Sequence, residues 1–397
     1  MTDARAFQTR CIHAGEAPDP ATGAHGVPLY QNVTYAFASF EQVEAMRAGL
    51  APHFTYSPRG NPTVRCLELK LANLEGAEIA LATASGMAAI SATLLTLTAN
   101  GGHIVASDEV YDLTRDALSH TVPAHGGSAT FVPAGDLAAV EAAIRPETRA
   151  IYAEPFSNPT LRVADLPSLA EIARRHGIPL VVDNTFLSPA LLRPLDHGAD
   201  LVLHSATKYL SGFGQVQGGV VAGRRALVDR IRETMIGLGG QMPPFSAWLL
   251  LAGVKTLPMR VRLHAENAGR IARLLAGHPA VRAVHYPGLP DDPGHGIAAR
   301  LLGKGPDRFG GMVSFSLHGG KAATAAFVNA LDLATIAVSL GDVSTLAWPW
   351  HDRDLVRLSV GIEDGDDLER DISGALDAAA RAAPAAGAVL AAIAGDD

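Results

Sequence analysis

The chain has 397 residues, of which 48% are hydrophobic and 18% charged, and its formal net charge is −8. This length favours two domains in one globular protein, and the acidic balance argues against a nucleic-acid or anionic-membrane surface. The chain has no apolar run of about 18 residues, so we expect no membrane span. The N-terminal stretch MTDARAFQTR lacks the apolar core of a signal peptide, and two cysteines are too few for a disulfide framework. We therefore expect a cytoplasmic protein, and the histidines show no spacing that predicts a metal site.

Turn-forming residues dominate the start of the chain. They are concentrated in APDPATGAHGVP (17–28) and YSPRGNPT (56–63). Such sequences are typical of irregular backbone. We therefore predict that residues 1–60 form an extended arm.

Short apolar runs then alternate with helical patterns as far as about residue 225. The runs are 79–84, 103–107, 129–133, 150–154, 179–183, 200–204 and 218–223. Continuous apolar strands separated by helices predict an α/β fold with a mainly parallel sheet covered on both faces. We assign this sheet and its helices to one domain, residues 61–254. A second set of strands and helices predicts a smaller α+β domain over residues 255–397.

Polar residues follow the predicted strands, where parallel sheets bind ligands. They are Ser85 and Gly86, Glu154, Asp183, and Ser205 through Lys208. A buried Asp183 needs a positive partner, and two partners suit it. One is Lys208, in a simple ion pair. The other is the ring nitrogen of pyridoxal phosphate, with Lys208 bonded to the same cofactor and nearby hydroxyl and amide groups holding its phosphate. Spacing alone leaves both interpretations open.

The stretch DNTFLSPALLRPLDHGADLVLHSATKYLSG (183–212) resembles the cofactor-lysine region of the Cys/Met-metabolism family of pyridoxal phosphate enzymes. The resemblance covers nearly the whole chain through HAGEAPDPATGA, NPTVRCLELKLANLEGAE, ASGMAAI, YAEPFSNPT, HYPGL, AVSLGD and LVRLSVGIED. It implies a pyridoxal phosphate transferase-like fold, the aminotransferase fold type I. It also implies a bound pyridoxal 5'-phosphate.

The resemblance assigns roles to individual residues. Lys208 would form the Schiff base, Asp183 would face the pyridinium nitrogen, and Tyr111 would stack on the ring and assist proton transfer. The residues expected around the phosphate are Ser85, Gly86, Met87, Ser205 and Thr207.

Other residues would bind the substrate or complete the site from a neighbouring subunit. Asn158 would contact the ring oxygen or the substrate, and Arg357, with Ser339 beside it, would bind the substrate α-carboxylate. Tyr56, with Arg59 near it, would reach the phosphate of a neighbouring subunit. A shared site of this kind implies at least a dimer, and the resemblance to the family implies a homotetramer, a dimer of dimers, with active sites shared across subunits.

Three positions depart from the family pattern. The residue two after Tyr56 is Pro58 rather than arginine, and Arg59 follows one position later. The segment WPWHDRD (348–354) is shorter than the corresponding part of most relatives. The residue two after Tyr111 is Leu113, where methionine γ-lyases have a cysteine, which weakens a lyase interpretation.

We therefore expect an enzyme that replaces the activating group of O-acetyl- or O-succinylhomoserine with a thiol, sulfide or other nucleophile, as in transsulfuration. One alternative is γ-elimination of the methionine or cystathionine γ-lyase type, which gives an α-keto acid and ammonia. Another is a family member that has lost catalysis and keeps the fold for binding. The expected partner is a small amino-acid substrate, with no nucleic acid and no membrane.

Overall fold

The computed structural model describes residues 5–51, 53–303, 305, 307–350 and 353–382. The chain divides into two compact units. The first comprises Met1–Glu154 and Asp165–Pro258, and the second comprises Pro155–Ala164 and Met259–Asp397. The division into an arm and two domains at residues 60 and 254 stays a prediction.

The first unit is built on a seven-stranded sheet. Its strands are β1 (Ile79–Thr83), β2 (His103–Ser107), β3 (Ser128–Val132), β4 (Thr148–Ala153), β5 (Leu180–Asp183), β6 (Leu201–Ser205) and β7 (Gly219–Gly223). They lie in the order β1-β7-β6-β5-β4-β2-β3. Strands β2 to β6 are mutually parallel, whereas β7 is antiparallel to both of its neighbours. All seven predicted strands are therefore present.

Among the described residues of this unit there are ten α-helices and the start of an eleventh. They are α1 (Phe7–His13), α2 (Phe40–Arg47), α3 (Pro62–Glu75), α4 (Gly86–Thr98), α5 (Asp112–Asp116), α6 (Val122–Ala124), α7 (Leu137–Ala142), α8 (Leu166–Arg175), α9 (Ser188–Leu191), α10 (Arg225–Gly237) and α11 (Pro244–Gly277). Local sequence explains their ends. Helix α3 begins after Asn61, whose side chain accepts from the amide of Thr63 at 2.9 Å, and ends at Gly76 with a φ of 73°.

A hydrophobic core fills the space between the sheet and α4. Side chains from β1, β2, β4, β5 and β6 meet apolar residues of α4 and α10 there, including the fully buried Leu81, Ile104, Tyr152 and Leu203. Burying each large apolar side chain stabilises the fold by about 1.5–3 kcal/mol. The core therefore fixes the strand ends from which the predicted site residues project.

The outer edge of β1 is closed by two side chains. Glu68 on α3 accepts the amide N–H of Ala82 at 3.1 Å, and Arg232 on α10 donates to the carbonyl oxygen of Ala80 at 3.2 Å. The two side chains also form an ion pair at 3.1 Å. These two backbone groups of the edge strand are thus satisfied by side chains.

Two parts of the segment predicted as an extended arm, α1 and α2, are helical. Helix α1 packs against α3, with Cys11 fully buried. The Lys70 ammonium donates to the carbonyl oxygen of Cys11 at 2.8 Å and pairs with Glu16 at 3.1 Å. Residues 7–16 are therefore fixed to the first unit itself.

The second unit contains a five-stranded sheet. Its strands are β8 (Val281–His285), β9 (Met312–Leu317), β10 (Thr335–Ile336), β11 (Leu346–Trp350) and β12 (Leu355–Ser359), in the order β10-β11-β12-β9-β8. All neighbours are antiparallel except β10 and β11. The remaining helices are α12 (His295–Leu302), α13 (Gly320–Asn329) and α14 (Gly365–Ala382).

None of the helices in the described part of the chain combines the length and apolarity that a membrane crossing requires. Within the same residues, no three histidine, cysteine, aspartate or glutamate side chains cluster in a way that could hold a metal ion.

Candidate active site

The start of α4 and the end of β6 form a small cradle in the first unit, lined by helix-terminal amide groups. Ser85 caps α4 by accepting from the amide of Ala88 at 3.0 Å. The first-turn amides of a helix have no acceptor within the helix. Gly86 and Met87 supply these amides, at the end of a 13-residue helix whose dipole favours negative charge.

Two glycines allow this cradle to close. A Cβ atom on Gly86 would lie 2.8 Å from the Cβ of Ser205, and one on Gly219 would lie 2.2 Å from the carbonyl oxygen of Ser85. Real Cβ atoms do not come this close to other atoms, so both positions require glycine. The start of α4 therefore lies very close to Ser205 and to β7. This is the arrangement expected of a phosphate site.

Lys208 lies in the turn that leaves this cradle. Its amide N–H donates to the carbonyl oxygen of Ser205 at 3.2 Å, and its side chain is half-buried. The Thr207 hydroxyl lies 3.1 Å from the amide nitrogen and 3.3 Å from the carbonyl oxygen of Gly218, which precedes β7. The lysine is thereby held at a defined position beside the cradle.

Asp183 ends β5 and is only 7% exposed. Its Oδ1 accepts from the amide and the hydroxyl of Thr185, at 3.0 and 2.5 Å, and its Oδ2 accepts from the Tyr152 hydroxyl at 3.4 Å. Burial raises the pKa of Asp183, and the bonds from Thr185 oppose that rise. Among the described residues, hydroxyl and amide donors hold this carboxylate, rather than an ion pair with Lys208.

Tyr111 stands at the start of α5 with 41% of its surface exposed. Its amide N–H donates to Oε1 of Glu154 at 2.7 Å. Glu154 is buried, and burial followed by the charge of Asp183 raises its pKa well above the ordinary value. Tyr111 is therefore positioned through its backbone while its ring remains accessible.

The second unit brings Asn158, Ser339 and Arg357 together. Arg357 on β12 is 4% exposed. Its Nη1 donates to Oδ1 of Asn158 at 2.8 Å, and its Nη2 donates to the carbonyl oxygen of Ser339 at 3.1 Å. The Trp350 ring lies 6.0 Å from the guanidinium carbon. This guanidinium is held in one plane, as a bidentate carboxylate ligand must be.

Tyr56 and Arg59 are exposed on the arm. Tyr56 forms a β-bridge with Thr34, and its carbonyl oxygen accepts the Arg59 amide at 2.8 Å. Their predicted contact with a neighbouring subunit stays a prediction.

Residues 8–351 match the sequence profile of the Cys/Met metabolism PLP-dependent enzymes. The chain belongs to this family. Among curated relatives, it is 44% identical to L-methionine gamma-lyase of Pseudomonas putida, covering 94% of this chain and 98% of the relative. It is 39% identical to O-succinylhomoserine sulfhydrylase of Pseudomonas aeruginosa, covering 93% and 94%.

A solved structure from Campylobacter jejuni is similar throughout, with a TM-score of 0.88 and 30% identity over 94% of this chain and all of the other. That protein, provisionally assigned as an O-acetylhomoserine (thiol)-lyase, carries N'-pyridoxyl-lysine-5'-monophosphate. The predicted family and the aminotransferase-type fold are therefore confirmed, as is pyridoxal phosphate as the cofactor. The glycine-lined cradle fits its phosphate, and the buried Asp183 fits its ring nitrogen.

Sequence reasoning gave no role to three residues that contact the predicted site. Thr185 fixes Asp183 and also accepts the amide of Ser205 at 2.8 Å, which joins β5 to β6. Tyr152 reaches Asp183 from β4, and Glu154 reaches Tyr111. Glu154 was recognisable as a polar residue at a strand end. The others follow only from the strand register.

Proposed function

We propose that this enzyme catalyses γ-replacement on an O-activated homoserine. The Cγ–O bond of O-acetyl- or O-succinylhomoserine breaks, and its electron pair leaves with the carboxylic acid. A thiol or sulfide forms the new bond to Cγ and gives up its proton. The product is a thioether or thiol amino acid, and no oxidant or reductant is consumed.

The buried Arg357 guanidinium is the observation that supports an amino acid as the substrate. Its bonds to Asn158 and Ser339 hold the guanidinium plane at 2.8 and 3.1 Å. A buried cation held in this way favours a carboxylate ligand, and arginine binds a carboxylate with two parallel hydrogen bonds. An α-amino acid provides that carboxylate.

Leu113 favours replacement over elimination. It lies on α5 two residues after Tyr111, with 47% of its surface exposed. A leucine can neither donate nor accept a proton, unlike the cysteine that methionine γ-lyases have at this position. Departure of a methanethiol group therefore receives no help from this side chain, whereas an ester's carboxylate is already a good leaving group.

Pyridoxal phosphate, when bound, stores in its ring the electrons of bonds broken next to the amino group. The side chains around it do the remaining work. With the cofactor bound, the Lys208 amine would take up the protons of Cα and Cβ and return them, and Tyr111 would pack on the ring. Arg357 would bind the substrate carboxylate and restrict its orientation.

A second candidate is γ-elimination, in which no nucleophile is added and the product is an α-keto acid with ammonia. The 44% identity to L-methionine gamma-lyase of Pseudomonas putida favours it. Both reactions need Arg357 to bind the substrate carboxylate. They differ in what happens after the γ-substituent has left.

Product analysis separates these possibilities. The cofactor-loaded enzyme is incubated with O-acetylhomoserine, O-succinylhomoserine or methionine, each with and without sulfide or cysteine. Mass spectrometry measures the thioether or thiol amino acid, and a keto-acid assay measures α-ketobutyrate. We expect replacement product to dominate with at least one ester. Production of α-ketobutyrate alone, from every substrate and at every nucleophile concentration, would favour the lyase candidate instead. Absence of any turnover would indicate a silent family member.

The anchor is tested separately with Arg357→Lys. Lysine keeps the charge but loses the planar fork, so we expect KM for the ester to rise at least tenfold with a smaller change in kcat. Arg282→Lys is the matched control, because Arg282 is a half-exposed arginine of the same unit that pairs with Asp354 at 2.7 Å. Equal KM values in both variants would refute the role of Arg357.

We also propose that the enzyme is a homotetramer in which the exposed arm of one subunit completes the phosphate site of the next. The 48% exposure of Tyr56 and the accessible Arg59 support this proposal.

A further inference from the structure

Strand β4 and the residue that follows it carry two buried polar side chains that point to the same face of the sheet. Tyr152 is 1% exposed and Glu154 is 7% exposed, and they are two residues apart. Side chains alternate along a strand, so residues two apart share a face. Tyr152 belongs to the hydrophobic core of the first unit, but its hydroxyl, like the Glu154 carboxyl, contacts polar groups.

Glu154 lies next to Asp183 on the neighbouring strand. Ala153 of β4 is opposite Val182 of β5, so Glu154 and Asp183 are the next residues along two parallel strands. Their carboxyl groups therefore leave the sheet on the same face. Burial, and then the negative charge of Asp183, disfavour the ionised form of the Glu154 carboxyl group.

The side chains of Tyr152 and Glu154 contact different parts of the predicted site. The Tyr152 hydroxyl donates to Oδ2 of Asp183 at 3.4 Å and lies beside the buried Thr114 of α5. Glu154 accepts the amide N–H of Tyr111 at 2.7 Å, at the start of the same helix. Both side chains therefore connect the end of β5 with the start of α5.

We propose that Tyr152 and Glu154 are a pair of positioning residues that set the spacing between Asp183 and the Tyr111 ring, and that Glu154 does so as a neutral carboxylic acid. The neutral form keeps an oxygen for the Tyr111 amide and adds no second negative charge beside Asp183. The raised pKa of Glu154, caused first by burial and then by Asp183, agrees with this state. The inference rests on the proposed placement of the cofactor ring between Asp183 and Tyr111.

Four variants of the full-length protein test the pair. Glu154→Ala removes the acceptor, and Glu154→Gln keeps an acceptor oxygen in a neutral side chain of the same size. Tyr152→Phe removes only the hydroxyl. Thr148→Val is the control, because Thr148 is a buried hydroxyl residue at the opposite end of β4, where it contacts His103 at 2.9 Å.

The measurements are the dissociation constant of pyridoxal phosphate from the apo-protein, by equilibrium dialysis, and the visible circular dichroism of the bound cofactor. We expect Glu154→Ala to weaken cofactor binding about tenfold, because a buried amide loses its acceptor. Glu154→Gln should stay within about threefold of wild type, and Tyr152→Phe should weaken binding roughly threefold. Glu154→Ala and Tyr152→Phe should also change the dichroic band, which reports ring orientation. Thr148→Val should lower the melting temperature and leave both readouts unchanged.

Two results would overturn the inference. One is a Glu154→Ala protein with wild-type affinity and dichroism. The other is a Glu154→Gln protein as impaired as Glu154→Ala, which would show that the charge matters. If Glu154→Ala does not fold, Glu154→Gln and Tyr152→Phe decide, since loss of affinity in Glu154→Gln or an unchanged dichroic band in Tyr152→Phe refutes the pair. These readouts concern cofactor binding, so they stand or fall independently of γ-replacement.

Discussion

His264 makes the stability of the second unit sensitive to acid. It lies on α11 with no exposed surface, and its Nδ1 is 2.7 Å from the carbonyl oxygen of Val360, the residue after β12. Burial lowers the pKa of His264 from 6.5 to about 4, with Arg260 adding to this and Val360 and Asp342 opposing it. The folded protein therefore holds this ring neutral at pH values where the unfolded chain protonates it.

The sign and size follow from proton linkage. Because the folded pKa is depressed, the contribution of His264 is fully present above the unfolded pKa and is lost as pH falls from 6.5 towards about 4. The two pKa values differ enough for roughly 3 kcal/mol in total, of which about 2 kcal/mol is lost between about pH 7.5 and pH 5.

The assay compares wild type with His264→Gln by urea unfolding at about pH 7.5 and about pH 5, both cofactor-loaded. Glutamine can donate to Val360 but does not titrate, so its free energy of unfolding should fall about 2 kcal/mol less between the two pH values than that of wild type. All other titrating groups cancel in this difference. An identical fall in both proteins would refute the reasoning, and would mean that His264 is protonated equally in the folded and unfolded states.

Three further predictions concern the site. Lys208→Ala should abolish both turnover and the visible absorbance of the lysine-bound cofactor, and retention of both would make the lysine assignment wrong. Tyr56→Phe should raise the dissociation constant of pyridoxal phosphate roughly threefold, and Arg59→Ala should do so only if it replaces the arginine missing from position 58; wild-type affinity in both variants would contradict the shared site. Trp348 and Trp350 lie on β11, with Trp348 directly opposite Arg357 of β12, so replacing either with alanine should change the ratio of kcat/KM for sulfide, cysteine and a bulkier nucleophile more than it changes KM for the ester. A ratio that neither substitution alters, together with a strong preference for sulfide, would leave an ordinary sulfhydrylase.

Much of the fold was predictable, because each strand of the first sheet is a short apolar run between turn residues. The site at the end of β5 was predictable as well, because an aspartate after buried valines marks a strand end at which a buried carboxylate needs a partner. The direction of β7 was not predictable, since GGVVAG is equally apolar in either orientation and only its pairing with β1 and β6 decides. Local composition also hid α1, whose stability depends on packing against α3 more than 50 residues away in sequence.

The site shows the same limit. Residues contributed by one motif, such as Ser205 to Lys208, are visible in the sequence. The contacts of Tyr152 with Asp183 and of Arg357 with Asn158 join residues 31 and 199 positions apart. Only the register of β4 against β5, and the placement of residues 155–164 in the second unit, bring such pairs together. The sequence shows that the segment WPWHDRD is short but does not show that its tryptophans belong to a strand, and His351 and Asp352 lie outside the described residues.

The closed edge of β1 has a consequence for the life of the protein in a crowded cell. An open strand edge is a template on which the strands of other chains can add, and this is a common start of aggregation. Here Glu68 and Arg232 occupy the backbone groups of Ala82 and Ala80. In the folded protein these two groups cannot pair with the strand of another chain, so edge-to-edge addition at β1 is disfavoured.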